Sequence, residues 1–189
     1  MRQNNDSLQV ADLAIKNYSI VVVGFDLAGP EFGHPASKHI EACQKINDSN
    51  IGLTIHAGEA AEFSYIEDAV LNCKAKRIGH GWQIIEGCKD NGDTFSPNTE
   101  TSEYIHENQI PLEICISSNV KSGASTVSLD NHPAVKLLRS GFNVTLNPDN
   151  RLMASTTLSR EYEIAKKFMS LTEDEESKLL DNAKNSTFA

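Results

Sequence analysis

Residues 52–59 read Gly-Leu-Thr-Ile-His-Ala-Gly-Glu, a short apolar and β-branched run that stops at a histidine and a carboxylate. A run of this kind, bounded by polar or glycine residues, predicts a β-strand. Four more runs along the chain have the same form, and stretches with helical patterning separate them. The predicted strands cover residues 20–25, 52–56, 76–80, 111–116 and 142–146.

Helical patterning predicts a helix before or after each strand and two more near the end of the chain. Strand and helix repeat at intervals of roughly 25 to 35 residues, which predicts an α/β fold of parallel βα units. Thr172 and Glu175 form a capping box that marks the start of the last helix. Residues 87–101 read as a long loop inside a single domain, residues 1–189. The predicted helices are about 7–17, 34–47, 65–72, 101–108, 133–139, 158–169 and 172–185.

Composition excludes several classes of protein. Hydrophobic residues make up 39% and charged residues 23%, a globular mixture without the ~18-residue apolar run of a membrane span. A net charge of −9 argues against a nucleic-acid partner, since duplex binding needs a basic surface. No secretory signal is evident, so we expect a cytoplasmic protein. The spacing of Cys43, Cys73, Cys88 and Cys115 matches no zinc or disulfide framework and predicts small apolar residues.

Functional groups of a parallel sheet gather where its strands end, and His56 closes one of these strands. Glu59 follows after two small residues, so its carboxylate can fold back toward the same point. This pair suits a metal ligand beside a proton-transfer group. The alternative is that His56 hydrogen-bonds within a loop and Glu59 begins a helix, where negative charge is favoured.

Further candidates end the neighbouring strands. His80 suits a metal ligand or a group that orients an attacking hydroxide, although it could also simply bond a nearby carbonyl. Asp149 suits a metal ligand, and the amide of Asn150 suits a heteroaromatic ring, although Asn-Pro-Asp-Asn is also ordinary turn composition. Gly29 either exposes its backbone amide to a ligand or turns the chain. The other histidines, His34, His39, His106 and His132, are expected to be structural or solvated.

Five stretches, residues 24–31, 56–59, 77–81, 114–119 and 145–150, together resemble the adenosine deaminase family of zinc-dependent aminohydrolases, in order and in spacing. The resemblance extends over residues 1–189 and implies part of a TIM barrel. It implies hydrolytic deamination of adenosine, and of deoxyadenosine, to inosine and ammonia. The implied roles are zinc ligands for His56 and Asp149, water activation for Asp149, proton donation to purine N1 for Glu59, hydroxide positioning for His80, and purine contacts for Gly29 and Asn150.

Two features depart from the family pattern. The residue after Asp149 is Asn150, where the family commonly has a second aspartate, and the His-x-His pair of the family's first strand does not occur. A closed barrel normally needs ~200 to 250 residues, whereas this chain has 189 and matches about strands four to eight. Two ligands leave zinc short of the usual three. We therefore expect a chain that is inactive alone and that dimerises or pairs with a missing amino-terminal half. The alternatives are a noncatalytic fragment and a deaminase of a related purine such as adenine.

Overall fold

A parallel five-stranded sheet forms the centre of the protein. The computed structural model describes residues 2–3, 6–18, 21–122 and 127–188. The strands are β1 Gly24–Leu27, β2 Gly52–Ala57, β3 Arg77–His80, β4 Cys88–Asp90, β5 Phe95–Pro97, β6 Leu112–Ile114 and β7 Val144–Leu146. The strand order in the sheet is β1-β2-β3-β6-β7, so each strand lies beside its neighbour along the chain except where a hairpin, β4–β5, intervenes. The parallel α/β prediction is confirmed.

Helices cover one face of the sheet and bury the apolar side chains that alternate along its strands. Leu53, Ile55, Ile78 and Ile114 are all fully buried in the core on this face. The helices are α1 Ser7–Lys16, α2 Ile40–Asp48, α3 Phe63–Glu67, α4 Glu100–Glu107, α5 Ile116–Lys121, α6 Ala134–Arg139, α7 Leu158–Met169 and α8 Glu173–Asn185. A π-helical turn, Asp68–Asn72, extends α3, and short 3₁₀ turns occupy Ala36–His39, Trp82–Gly87 and Leu129–Asn131.

The structure corrects three of the predicted boundaries. The first strand begins at Gly24 rather than at residue 20, which lies outside the described residues. Val21 is 80% exposed, and its N–H donates to the carbonyl of Asn17 instead of to the neighbouring strand. Residues 87–101 contain the antiparallel β4–β5 hairpin instead of a plain loop, because Asp90 accepts the N–H of Gly92 in a tight turn. The fourth predicted strand ends at Ile114, so Ser117–Asn119 lie in α5.

The other face of the sheet is polar. Arg77 donates to Thr54 and pairs with Glu113 at 3.1 Å, so side chains of three adjacent strands bond across this face. The Phe188 ring covers its lower end, with the Arg77 guanidinium 3.8 Å from the ring centroid. A Cβ at Gly52 would lie 2.1 Å from the Phe188 ring, so only glycine admits the ring there. Because these groups satisfy one another, the polar face is stable beneath the strand ends.

Within the described part of the chain, β1 and β7 each have one strand neighbour, so both are edges of the sheet. Apolar side chains beside the β1 edge are exposed, among them Leu13 at 59% and Val23 at 49%. Leu180 of α8, the helix beside β7, is 53% exposed. None of the described helices has the length and apolar character needed to cross a membrane.

The capping box predicted for α8 is confirmed and gives a test of stability. Glu175 accepts the N–H of Thr172 at 2.9 Å and binds Arg139 at 2.7 Å, and these contacts lower the pKa of Glu175 to about 2. Glu175→Gln should lower the free energy of unfolding at pH 7 by about 1 kcal/mol. Because the folded-state pKa is depressed, the loss should be full above the ordinary value of 4.5 and fade as pH falls toward 2.

Urea denaturation followed by circular dichroism at several pH values measures this loss. Glu173→Gln is the matched control, because Glu173 is also in the first turn of α8 but is not part of the capping box. An equal loss at pH 7 and at pH 3 would show that the charge of Glu175 is unimportant.

Candidate active site

The imidazole of His56 lies at the end of β2, over the polar face of the sheet. Its Nδ1 bonds Oδ1 of Asp26 at 3.0 Å, which leaves Nε2 for another partner. The β2–β3 register sets Gly79 opposite His56, and a Cβ at Gly79 would lie 2.8 Å from Nδ1 of His56. Burial lowers the pKa of His56, but the hydrogen bond and charge of Asp26 outweigh it and leave the pKa above its usual value. Asp26 therefore orients the ring.

Glu59 is held in place by both of its backbone groups. Its N–H donates to Oε2 of Glu31 at 3.1 Å, and its carbonyl accepts from Nε1 of Trp82 at 3.1 Å. Its side chain reaches Nε2 of His80 at 3.4 Å. Burial raises the pKa of Glu59, and the charges of Asp149 and Glu31 raise it further. A carboxyl group with a raised pKa keeps its proton over a wider pH range, which suits a group that delivers a proton to a substrate.

The carboxylate of Glu31 organises the turn that carries Glu59. It accepts backbone N–H groups from four consecutive residues, Gly58, Glu59, Ala60 and Ala61, with Ala60 at 2.9 Å and Ala61 at 3.0 Å. Glu31 is only 5% exposed, so these bonds are shielded from water. The sequence placed Glu31 within a motif but assigned it no role, since no spacing rule connects it to residues 58–61.

His80 ends β3 and is almost fully buried, with 2% of its surface exposed. Its ring centroid is 5.2 Å from that of His56, so the two histidines lie side by side. Its Nδ1 is 3.0 Å from Nδ2 of Asn119, a buried residue of α5. Burial and then the neighbouring His56 lower the pKa of His80 to about 4. His80 is therefore a neutral imidazole at pH 7.

Asp149 follows β7 and completes a cluster with Glu59 and His80. One ligand atom from each of these three residues lies within 4.8 Å of the other two. Oδ2 of Asp149 accepts the hydroxyl of Ser118 at 2.6 Å, and its charge raises the pKa of His56. Asp149 and His80 both have positive φ, 51° and 62°, a conformation that costs a non-glycine residue of order 1 kcal/mol. The ends of three strands, β2, β3 and β7, thus bring His56, Glu59, His80 and Asp149 to one edge.

The two residues expected to contact a purine have other described contacts. Gly29 has φ 126° and packs against Arg2, since a Cβ built there would lie 3.3 Å from that of Arg2. Oδ1 of Asn150 accepts the N–H of Met153 at 3.0 Å, which is the turn role that the sequence also allowed. Purine contacts of Gly29 and Asn150 stay predictions.

The sequence did not predict the residues that hold the site side chains in place. Asp26 orients His56, Ser118 holds Asp149 and Asn119 holds His80, yet all three were seen only as members of strand-end motifs. Their presence in those motifs was the available signal. The signal did not identify the partners, because each bond joins residues at least 30 positions apart.

The residues at this edge suit a zinc ion. Imidazole nitrogen and carboxylate oxygen are ordinary zinc ligands, and His56 and Asp149 supply one of each. A metal-binding histidine usually donates its second ring nitrogen to a carboxylate, which is the arrangement of His56 with Asp26. The cluster within 4.8 Å offers Glu59 and His80 as ligands in addition to Asp149, and does not include His56. Two ligand sets are thus to be compared: the cluster that contains His80, which distance supports, and His56 with Asp149, which the chemistry of the donor atoms supports.

Comparison with known proteins points to one family. A family model described as adenosine deaminase matches residues 1–189. The chain is 42% identical over 161 residues to adenosine deaminase of Mycobacterium marinum, covering 85% of this chain and 44% of that protein. It is 40% identical over 161 residues to the enzyme of Mycolicibacterium vanbaalenii, with the same coverage. The chain thus spans less than half the length of these relatives.

Solved structures agree in fold. Adenine deaminase from Arthrobacter aurescens superposes with a TM-score of 0.84 at 28% identity, covering 98% of this chain and 53% of that one. The N6-methyl-AMP deaminase from Arabidopsis thaliana superposes with a TM-score of 0.81 at 28% identity, covering 100% and 52%. Both neighbours are deaminases by name.

The four-amide contact of Glu31 generates a stability prediction. In Glu31→Gln an amide NH2 replaces one acceptor oxygen and faces backbone donors, so the free energy of unfolding should fall by about 2 to 3 kcal/mol. Fluorescence of Trp82, the only tryptophan, reports unfolding in urea beside this turn. Glu86→Gln is the control, because Glu86 is exposed and accepts a single backbone N–H, from Phe63. An equal loss in the free energy of unfolding in the two variants would show that the four amide contacts of Glu31 stabilise the fold no more than the single contact of Glu86.

Proposed function

Because this chain belongs to the adenosine deaminase family, we propose that it carries the zinc-binding and acid–base groups of a hydrolytic deaminase that converts adenosine or deoxyadenosine to inosine and ammonia. The observation that carries the proposal is the meeting of Glu59, His80 and Asp149 within 4.8 Å, beside His56, at one edge of the sheet. Nucleophile activation, proton transfer and charge stabilisation each have a candidate group there.

In the proposed mechanism His56 and Asp149 would hold a zinc ion. When bound, the ion would lower the pKa of a water molecule and so supply the nucleophile for purine C6. Glu59, with its raised pKa, holds a proton at its carboxyl group and donates it to purine N1 as the attack proceeds. Asp149 accepts the Ser118 hydroxyl at one oxygen and keeps the other for the metal or the nucleophile. Of the two hydrogens of the attacking water, one restores the proton that Glu59 gave to N1 and the other converts the leaving amino group to ammonia, so the purine becomes a 6-oxo product.

His80 and Asn150 complete the proposed roles. His80 is buried, neutral and 3.4 Å from Glu59, which suits a group that positions the nucleophile. Gly29 and Asn150 are proposed to meet the purine ring, by resemblance to the family. Asn150 offers a neutral amide, so its bond to the purine is weaker than that of a charged carboxylate.

We propose that three further βα units complete the barrel, since a TIM barrel has eight strands and this sheet has five. The described strands would be strands four to eight, and a missing amino-terminal half would pair with β1 and β7 and bring additional zinc ligands. The coverage of 44% of the relatives, the two open edges and the exposed Leu13, Val23 and Leu180 support this arrangement. The other proposals are a dimer across the edges and a noncatalytic fragment. A cytoplasmic location stays a prediction.

Deamination of a related purine is the second candidate. It is favoured by the superposition on a protein named adenine deaminase, at 28% identity and a TM-score of 0.84. Comparing adenosine, deoxyadenosine and adenine as substrates of the completed barrel distinguishes the two candidates.

The role of Glu59 is tested by substitution in the completed barrel, made by co-expressing this chain with an amino-terminal half from a relative. Glu59→Gln should lower kcat for adenosine by about 100-fold or more, because the amide cannot donate a carboxyl proton. Loss of adenosine absorbance as inosine forms measures turnover. Glu62→Gln is the matched control, since Glu62 is exposed and outside the cluster. Unchanged turnover in Glu59→Gln would remove the proposed mechanism.

Zinc content distinguishes the complete enzyme from a fragment. After dialysis, the completed barrel should retain about one zinc per chain, and the 189-residue chain alone should retain less, because it supplies too few ligands. Asp149→Asn should lower retention in the completed barrel, whereas Asp130→Asn, outside the cluster, should not. Tight zinc with turnover by the chain alone would contradict the proposed need for a missing half.

A further inference from the structure

A backbone amide anchors a line of buried side chains that leads to His80. The N–H of Ala134 donates to Nδ1 of His132 at 3.2 Å. A backbone N–H can only donate, so Nδ1 of His132 must carry a lone pair. Burial lowers the pKa of His132 to about 3, so its ring is neutral at pH 7. The single ring hydrogen of His132 is therefore on Nε2.

This hydrogen determines how the Asn119 side chain is oriented. Nε2 of His132 lies 3.3 Å from Oδ1 of Asn119, which accepts the hydrogen. The opposite orientation would bring the amide NH2 of Asn119 against the N–H of His132, two donors in contact. Asn119 is fully buried, so water cannot relieve such a contact. Nδ2 of Asn119 must consequently be the group that faces His80.

The orientation of Asn119 in turn determines the tautomer of His80. Nδ2 of Asn119 is 3.0 Å from Nδ1 of His80, and an amide NH2 can only donate. Nδ1 of His80 is therefore the acceptor, and the hydrogen of the neutral ring is on Nε2. That nitrogen is the one 3.4 Å from Oε2 of Glu59, at the cluster with Asp149.

We infer that Asn119 and His132 are positioning residues that hold His80 as a hydrogen-bond donor at Nε2. We call this line of hydrogen bonds, from Ala134 through His132 and Asn119 to His80, the relay. A protonated Nε2 has no lone pair for a metal, so the relay disfavours the ligand set that contains His80 and favours His56 and Asp149. His80 is left to donate to Glu59 or to the nucleophile. The importance of this His80 hydrogen for turnover rests on the proposed function, but the tautomer of His80 follows from the hydrogen bonds alone.

Histidine tautomers can be measured directly on this chain. In long-range 1H–15N correlation spectra of protein labelled with 15N-histidine, the protonated and bare ring nitrogens have different shifts. His80 should carry its hydrogen on Nε2. His39 is an internal control, because its Nε2 faces the carbonyl of Arg2 at 3.1 Å and must also be protonated. A His80 hydrogen on Nδ1 in the unsubstituted chain would overturn the inference.

Asn119→Asp replaces the amide donor that faces His80 by an acceptor, in a side chain of nearly the same size and shape. Both carboxylate oxygens only accept, so one still accepts from His132 and the other requires a donor, and Nδ1 of His80 should become protonated. Asn108→Asp is the matched control, since Asn108 is exposed and bonds only its own helix, and it should leave His80 unchanged. A bare Nδ1 in Asn119→Asp would contradict the relay. If that variant misfolds, the unsubstituted chain still decides the tautomer.

Kinetics of the completed barrel separate positioning from a merely structural role. Asn119→Asp should lower kcat at least about tenfold while KM changes by less than about threefold. The reason is that Nε2 of the neutral His80 ring would lose its hydrogen and could no longer donate in the transition state, whereas the contacts that bind the substrate would remain. Asn108→Asp should keep both values. Unchanged kcat in Asn119→Asp would overturn the positioning role. If the barrel does not deaminate purines but the tautomer is as expected, the proposed function fails and the relay stands.

Discussion

The parallel pairing of β2 with β3 is the constraint on which the site depends. Its register sets His56 opposite Gly79 and Ala57 opposite His80, so the two histidines end adjacent strands at the same edge. The His56 ring fits because Gly79 has no side chain. A slip of β2 by one residue would turn its side chains to the other face of the sheet and carry His56 away from the polar face.

Each reactive group at this edge is held by a second polar group from another part of the chain. Asp26 orients His56, Glu31 gathers the amides around Glu59, and Ser118 bonds Asp149. Fixing a group in this way removes the cost of orienting it during a reaction. Buried polar groups are stable only when they are paired, so the same bonds that stabilise the fold also preorganise the site.

The described sheet has two open edges, and it still brings the candidate groups of the site together. A site at the carboxyl ends of parallel strands needs only the strands that carry its groups. The polar face beneath the site is already satisfied by Arg77, Glu113 and Thr54. The exposed apolar side chains of Leu13, Val23 and Leu180 instead lie beside the two open edges of the described sheet. Open edges and exposed apolar groups are both suited to association.

The sequence by itself determined the α/β class, the family, the capping box of α8 and the strand-end identity of His56, Glu59, His80 and Asp149. These features depend on local periodicity and on short motifs, which neighbouring residues specify. Only the tertiary structure decided that residues 21–23 stay outside β1, that Ser117–Asn119 lie in a helix, and that Ala134, His132 and Asn119 lead to His80. The residues at which strands begin and end, and the hydrogen bonds between distant residues, depend on which segments lie next to each other in the folded chain. No local sequence pattern specifies that arrangement.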